Sequence, residues 1–135
     1  MSRPCHVLRV FTRGDVGGNH LGVVNDLAGL SSAGMQQIAT DLAFSETVFI
    51  DWDGSVTDPA VRIFTPASEL PFAGHPLVGA AWTLSNLGAG TAGNIDTAVG
   101  RTNFEVNGAS VSIRCSIPIT TIASLMCVIP CCQMK

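Results

Sequence analysis

The segment at residues 77–87 constrains the fold most, because it is apolar or neutral on every side. A helix without a polar stripe must be covered all round, so we expect it to be the central helix of the core. It follows a tight, uncharged turn, Gly74-His75-Pro76. Proline favours the first helical position, which predicts that His75 caps this helix. The free N–H groups and the positive end of the helix dipole at that point suit an anionic small molecule.

Composition limits the architecture and the partners of the chain. Its 135 residues suffice for one domain with a real core. Charged residues make up 13% and hydrophobic residues 47%, which fits either a compact glycine-rich core or a surface that faces a second domain or subunit. A net charge of −3 with scattered arginines does not resemble a nucleic-acid footprint. Without a signal sequence or a membrane-spanning stretch, we expect a soluble cytoplasmic protein.

The pattern of the remaining chain predicts an alternation of short strands with one amphipathic helix. Ser31 or Ser32 can cap a helix that runs to about Ala43, with apolar residues at helical spacing. Asn107-Gly108 favours a type I′ hairpin turn between two strands. The predicted strands cover residues 5–12, 22–25, 46–50, 60–65, 102–106 and 109–115. Residues 88–93 read as a glycine-rich stop, and residues 116–135 have no clear period.

Glu46 and His75 are the residues best suited to chemistry. Glu46 is flanked by apolar residues at a helix-to-strand connection, where loss of hydration penalises the charged carboxylate and allows it to exchange a proton near neutral pH. The alternative is a solvated carboxylate at a strand edge. His75 could equally be a capping imidazole that touches no substrate. Asn19 could donate its amide to a substrate carboxylate, although asparagine is also common in turns.

Other kinds of active site find little support in the sequence. There is no Gly-x-Gly-x-x-Gly run, no phosphate-binding loop and no Gly-x-Ser-x-Gly elbow. The five cysteines form no Cys-x-x-Cys pair, so they indicate free thiols better than a disulfide framework or a metal site. By elimination we expect a reaction that uses neither a cofactor nor a metal.

Five segments resemble one known family when they are taken in order. They are Gly18-Asn-His-Leu-Gly-Val-Val24, Met35-Gln-Gln-Ile-Ala39, Ser45-Glu-Thr-Val-Phe49, Arg62-Ile-Phe-Thr-Pro66 and Glu69-Leu-Pro-Phe-Ala-Gly-His-Pro76. The set resembles the amino-terminal half of the PhzF (phenazine-biosynthesis-like) family, which has the diaminopimelate-epimerase fold. The resemblance covers about residues 5–115, so we treat residues 1–115 as the domain and residues 116–135 as an unassigned tail.

The resemblance implies an α+β half domain, a curled mixed sheet or barrel around a central apolar helix, paired with a similar second half. It implies an isomerase or epimerase in which Glu46 moves a proton on a small carboxylate substrate, such as a dihydro-hydroxyanthranilate. His75 would bind or help to protonate that substrate, and Asn19, Ser45 and Gly74 would line the pocket. The family reaction uses no cofactor.

Two departures from the family bear on this prediction. His20 stands where the family usually has proline. The Thr-Gly-Ser-Ala-like motif of the second half has no counterpart here, so a homo-oligomer or a partner half-domain would have to complete the cleft. A catalytically silent module that binds a ligand or a partner is the alternative, and so is an inactive truncated product.

Overall fold

The computed structural model describes residues 3–11, 16–55, 58–108, 110–115 and 125–128. These residues form nine strands and two α-helices. In chain order they are β1 His6–Val10, β2 Asn19–Val24, α1 Ser32–Leu42, β3 Glu46–Asp51, β4 Ala60–Phe64, β5 Glu69–Leu70, α2 Gly74–Leu84, β6 Ala92–Thr97, β7 Gly100–Asn107, β8 Ser110–Cys115 and β9 Leu125–Val128. A wider helical turn, Ser85–Ala89, continues α2.

The strands form one mixed sheet that curls around α2. Its order is β1-β2-β3-β4-β6-β7-β8-β9, with β5 paired to β4. The pairs β2–β3 and β4–β6 are parallel, and the other neighbouring pairs are antiparallel. Helix α2 contacts β1 and β2 as well as β7 and β8, and eight of its eleven residues are buried. The predicted α+β fold around a central apolar helix is therefore confirmed.

Strand alternation divides the buried side chains between two clusters. Val48 and Ile50 of β3 pack in the larger cluster around α2, whereas Phe49 packs in the smaller cluster with α1. Side chains two residues apart in a strand point to the same face. Glu46, at the first position of β3, therefore points toward the α2 side of the sheet.

Helix α1 has the bounds and the cap that the sequence predicts. The Ser31 side chain accepts a hydrogen bond from the backbone N–H of Gly34 at 3.1 Å, which satisfies one free donor of the first turn. The helix ends at Ala43, whose backbone is left-handed with φ of 56°. Met35 and Ala39 are its buried residues, so the predicted one-sided packing is confirmed.

The prediction that His75 caps α2 is wrong. The helix begins at Gly74, and Ala73 is the N-cap with an extended backbone. Pro76 is then the third helical residue instead of the first. It still lies in the first turn, where a backbone N–H has no partner within the helix, so proline fits there at no cost.

The sequence patterns identify six of the nine described strands and miss β5, β6 and β9. The β7–β8 hairpin is confirmed, with Asn107 paired to Ser110 across the turn. The two-residue strand β5 was not expected, and β6 begins within the predicted glycine-rich stop. Strand β9, from the unassigned tail, pairs with β8, and the remaining residues after 115 lie outside the described part. The domain boundary at residue 115 stays a prediction.

Candidate active site

Glu46 and His75 meet where the start of β3 faces the start of α2. Glu46 Oε2 lies 2.7 Å from His75 Nε2, within the range of a charge-assisted hydrogen bond. Both atoms are shut off from solvent, and neither meets the full geometry of a hydrogen bond with any group of the described residues, so their contact rests on distance. The two side chains as a whole keep 17% and 15% of their surface exposed. The two contacting atoms are therefore buried, while other atoms of both side chains remain at the surface.

An imidazole nitrogen and a carboxylate oxygen 2.7 Å apart attract each other only when one of the two atoms carries a proton. Burial lowers the pKa of His75 from its usual value, an effect that the charge of Glu46 partly opposes. The imidazole is therefore neutral near pH 7, and a neutral imidazole nitrogen without its proton would repel a carboxylate oxygen. One proton shared by Nε2 and Oε2 resolves that conflict. The pair is thus suited to take up and release a proton.

The first turn of α2 adds a preference for anions beside this pair. Ala73 provides no side-chain cap, and no acidic residue lies in the first turn. The backbone N–H groups of Gly74 and His75 belong to the set that a helix leaves without internal partners. These donors and the positive end of the helix dipole favour a carboxylate at this position.

The other predicted site residues lie at or near the same end of the sheet. Asn19 begins β2 two residues before Leu21, which pairs with Glu46, and alternation gives Asn19 and Leu21 the same face. Ser45 directly precedes Glu46 and is exposed, and Gly74 is the first residue of α2. The structure brings Glu46 and His75 into contact; the substrate-binding roles of Asn19, Ser45 and Gly74 stay predictions.

Two features near the site were not anticipated from the sequence. The Phe11 ring lies 6.2 Å from the His75 ring, measured between centroids. The imidazole of His20, the position that departs from the family pattern, stacks on Phe44 at 5.9 Å with an interplanar angle of 18°. An aromatic residue directly after a strand carries no motif, so only the folded chain shows that Phe11 reaches His75.

The Arg62–Glu69 pair is a third feature that the sequence did not indicate. Two guanidinium nitrogens of Arg62 donate to the two Glu69 oxygens, each at 2.8 Å. A third nitrogen donates to the Ser32 hydroxyl at 2.9 Å. The Arg62 hydrogen bonds lower the pKa of the Glu69 carboxyl. This group connects β4, β5 and the start of α1, and β5 ends four positions before α2 begins.

Two cavities of the described residues lie away from Glu46 and His75. A groove of about 570 Å³ lies on the outer face of β6, β7 and β8, with Asn103, Glu105 and Arg114 in its lining. A second of about 260 Å³ adjoins it near Trp52. Neither is lined by Glu46 or His75. The contact between Glu46 and His75 marks the candidate site, because the volume of a cavity alone does not indicate a reaction.

The described residues contain neither a metal-binding cluster nor a helix that could span a membrane. No three His, Cys, Asp or Glu side chains there cluster as a metal site. Neither described helix is long and apolar enough to cross a membrane. Cys5 is a free thiol, and the other cysteine side chains lie outside the described part.

Comparisons with known proteins agree with this fold. The chain superimposes on a PhzF-family crystal structure from Enterococcus faecalis with a TM-score of 0.75 and 27% identity, covering 84% of this chain and 44% of that one. A hydroxyproline epimerase from Agrobacterium vitis, at 13% identity and a TM-score of 0.57, shares the fold over 81% of this chain and 40% of that one. The molecule therefore has the α+β fold of PhzF-like and epimerase proteins.

Sequence comparison identifies the family. The model of the family described as "PhzC-PhzF: Phenazine biosynthesis-like protein" matches residues 8–127. The chain therefore belongs to the PhzC-PhzF family. It is 38% identical over 125 residues to the trans-2,3-dihydro-3-hydroxyanthranilate isomerase of Pseudomonas chlororaphis, covering 88% of this chain and 44% of that protein. It is 48% identical over 85 residues to an uncharacterized isomerase of Mesorhizobium japonicum, covering 62% and 28%. The chain thus spans less than half the length of these relatives.

Proposed function

We propose that this chain supplies one half of a cofactor-independent isomerase or epimerase that moves a proton on a small carboxylate substrate. The observation that carries the proposal is the 2.7 Å contact between Glu46 Oε2 and His75 Nε2. It lies beside a helix start that has neither a capping side chain nor an acidic residue. A proton-transfer group and an anion-binding element therefore occupy one place.

Each of these groups has a separate role in the proposed reaction. The Glu46 carboxylate takes a proton from a substrate carbon, and the electron pair of the broken C–H bond stays on the substrate. The same carboxyl group returns the proton to another carbon on the same face of the substrate. Inversion at a single carbon would need a second acid on the opposite face, supplied by the other half. His75 keeps the pair charge-balanced through the shared proton, while the first N–H groups of α2 bind the substrate carboxylate. Asn19, Ser45 and Gly74 would line this pocket.

The substrate to test first comes from the relatives. Isomerases of Pseudomonas chlororaphis and Pseudomonas fluorescens that resemble this chain are named for trans-2,3-dihydro-3-hydroxyanthranilate. That compound is a small carboxylate whose isomerisation moves one proton. We propose it, or a carboxylate of similar size, as the substrate of the completed site in the cytoplasm.

A second half has to cover the pair for catalysis. It could come from further sequence of the same protein, from a second copy or from another chain. Closure would exclude water and strengthen the electrostatic interactions of Glu46 with the substrate. The 15% and 17% exposure of the two side chains is the surface that such a half would cover.

Isotope exchange tests the proposal. The full chain is incubated with trans-2,3-dihydro-3-hydroxyanthranilate in deuterated water, and label in substrate and product is followed by mass spectrometry. We expect incorporation by the wild type and a loss of about a hundredfold or more in Glu46→Gln, the range for removal of a general acid–base group. Glu105→Gln, an exposed carboxylate of β7, is the matched control. Equal incorporation by Glu46→Gln would remove the proposed role.

A binding module without activity is the second candidate. It is favoured by the groove of about 570 Å³ that lies away from the pair and by coverage of only 44% of the first relative. Light scattering combined with the exchange assay separates the two candidates. A monomer that binds the compound without exchanging label supports the module. An aggregating chain that does neither supports an inactive fragment.

A further inference from the structure

Phe11 lies at the same end of the sheet as the proposed site. It directly follows β1, whose last residue Val10 pairs with Asn19 at the start of β2. Strand β2 runs parallel to β3, with Leu21 opposite Glu46. The chain therefore leaves β1 at the end of the sheet where Glu46 begins β3.

The ring of Phe11 packs on the imidazole of His75. The two centroids are 6.2 Å apart and the ring planes are inclined at 58°, which is within the range of attractive tilted aromatic pairs. Glu46 approaches His75 from β3, and Phe11 approaches it from the end of β1. Glu46 is the charged group that acts on the His75 imidazole, so Phe11 adds cover without adding charge.

The backbone of Phe11 shows that packing alone does not explain this residue. Its φ is 63°, a left-handed conformation that costs free energy for a bulky side chain and suits glycine or asparagine. Ala43, the other described non-glycine residue with positive φ, closes α1 with a hydrogen bond from its N–H to Ala39. Phe11 has no such capping role. It belongs to neither buried cluster of the described residues, and it remains 38% exposed.

We propose that Phe11 is a positioning residue of this site: its ring covers one side of the His75 imidazole and keeps that ring turned toward Glu46. Its catalytic consequence rests on the proposed function, whereas its effect on His75 does not. A side chain held in an unfavourable backbone conformation with little burial in return is typical of a functional constraint. The ring also helps to exclude water from Nε2, which agrees with the direction in which burial moves the pKa of His75.

The variant Phe11→Gly separates positioning from structural support. Glycine relieves the left-handed backbone while removing the ring, so we expect an unfolding midpoint in urea no lower than that of the wild type. In NMR spectra of histidine-labelled protein, we expect the His75 signals to move and the His75 pKa to rise toward its usual value. The signals of His6 and His20 should stay in place. Phe11→Tyr, which keeps a ring, should restore the wild-type His75 spectrum.

Two controls sharpen the result. Ala43→Gly relieves the other left-handed backbone without touching His75, and Leu87→Ala removes an apolar side chain of the same 38% exposure. Neither should change the His75 signals. Unchanged His75 signals and titration in Phe11→Gly would overturn the inference. So would a stability loss in Phe11→Gly without any change at His75, since that is the result of a purely structural role.

The exchange assay distinguishes this inference from the proposed function. If the wild type exchanges label, we expect Phe11→Gly to lose about tenfold to a hundredfold in kcat with little change in KM, because a misplaced group slows the chemical step. Wild-type kcat in Phe11→Gly would overturn the positioning role and leave the proposed function standing. A wild type without exchange counts against the proposed function, and the His75 spectra still decide the role of Phe11.

Discussion

At the residue scale, the candidate site depends on two side chains that the fold brings together from separate segments. Alternate residues of a strand point to the same face, so Glu46 lies on the same face of β3 as Val48 and Ile50. That face packs against α2. His75 is there because it is the second residue of α2. Neither position alone defines a site, and their contact is what makes a shared proton available.

Burial of His75 predicts a pH dependence of stability. Because burial lowers its pKa in the folded state, the unfolded chain, with an imidazole pKa of about 6.5, binds the proton more readily. Stability should therefore be full above pH 6.5 and decline as the pH falls through that value. We expect the urea midpoint of the wild type to drop more between pH 7.5 and 5.5 than that of His75→Asn.

The comparison with His75→Asn isolates this imidazole, since every other titrating group is common to the two proteins. A drop of equal size in both proteins would show that His75 has the same proton affinity in the folded and unfolded chain. The burial described here would then be wrong.

At the scale of elements, the approach of α2 to β1 and β2 depends on a small residue. A Cβ atom on Gly79 would lie 2.2 Å from Leu21 Cδ2 and 3.5 Å from Leu8 Cδ1, and both leucines are fully buried. Overpacking costs about 1–3 kcal/mol, and alanine's helix propensity returns at most about 1 kcal/mol. We expect Gly79→Ala to lower the free energy of unfolding by about 1–2 kcal/mol, measured by urea titration.

Gly34 of α1 is the matched control for this substitution. Its added Cβ would lie 2.8 Å from Leu30 Cδ1, but Leu30 is only partly buried and can move aside. Gly34→Ala should therefore raise the free energy of unfolding by up to about 1 kcal/mol. If both substitutions changed stability in the same direction, the close packing at Gly79 would not be the deciding factor.

The Arg62–Glu69 pair should couple β4 to β5 weakly but measurably. The two side chains are 37% and 38% exposed, so solvent screens them and exposed pairs contribute at most about 1 kcal/mol. In a double-mutant cycle with Arg62→Lys and Glu69→Gln, we expect a coupling of about 0.5 kcal/mol that shrinks in 1 M salt. No coupling at low salt would mean that the forked geometry does not persist in solution.

The elements that the sequence predicts well are those with local chemistry. Ser31 caps α1, and the β7–β8 hairpin turns from Gly108, whose φ is 61°, directly after Asn107 pairs with Ser110. Short-range backbone preferences decide both features. Strand β6 was missed because Ala92–Thr97 has little strand propensity, and its six pairings with β7 are a tertiary effect. The prediction that His75 caps α2 was wrong because α2 begins one residue before His75, directly after the extended backbone of Ala73.

At the scale of the whole molecule, the described residues form one curled sheet around one helix. The sequence alone singled out Glu46 by its apolar surroundings and His75 by its place at the start of an apolar helix, and the family resemblance matches both positions. Their 2.7 Å contact and the position of Phe11 could not be predicted, because both depend on the register of β1, β2 and β3 and on where α2 begins.

The titration of His75 by NMR in the wild type, in Glu46→Gln and in the control Glu105→Gln tests the central claim most directly. Glu46 raises the pKa of His75 against the effect of burial, so removal of its charge should lower that pKa further. Glu105→Gln should leave it where it is in the wild type. A His75 titration that is the same in Glu46→Gln and in the wild type would contradict the contact between the two side chains.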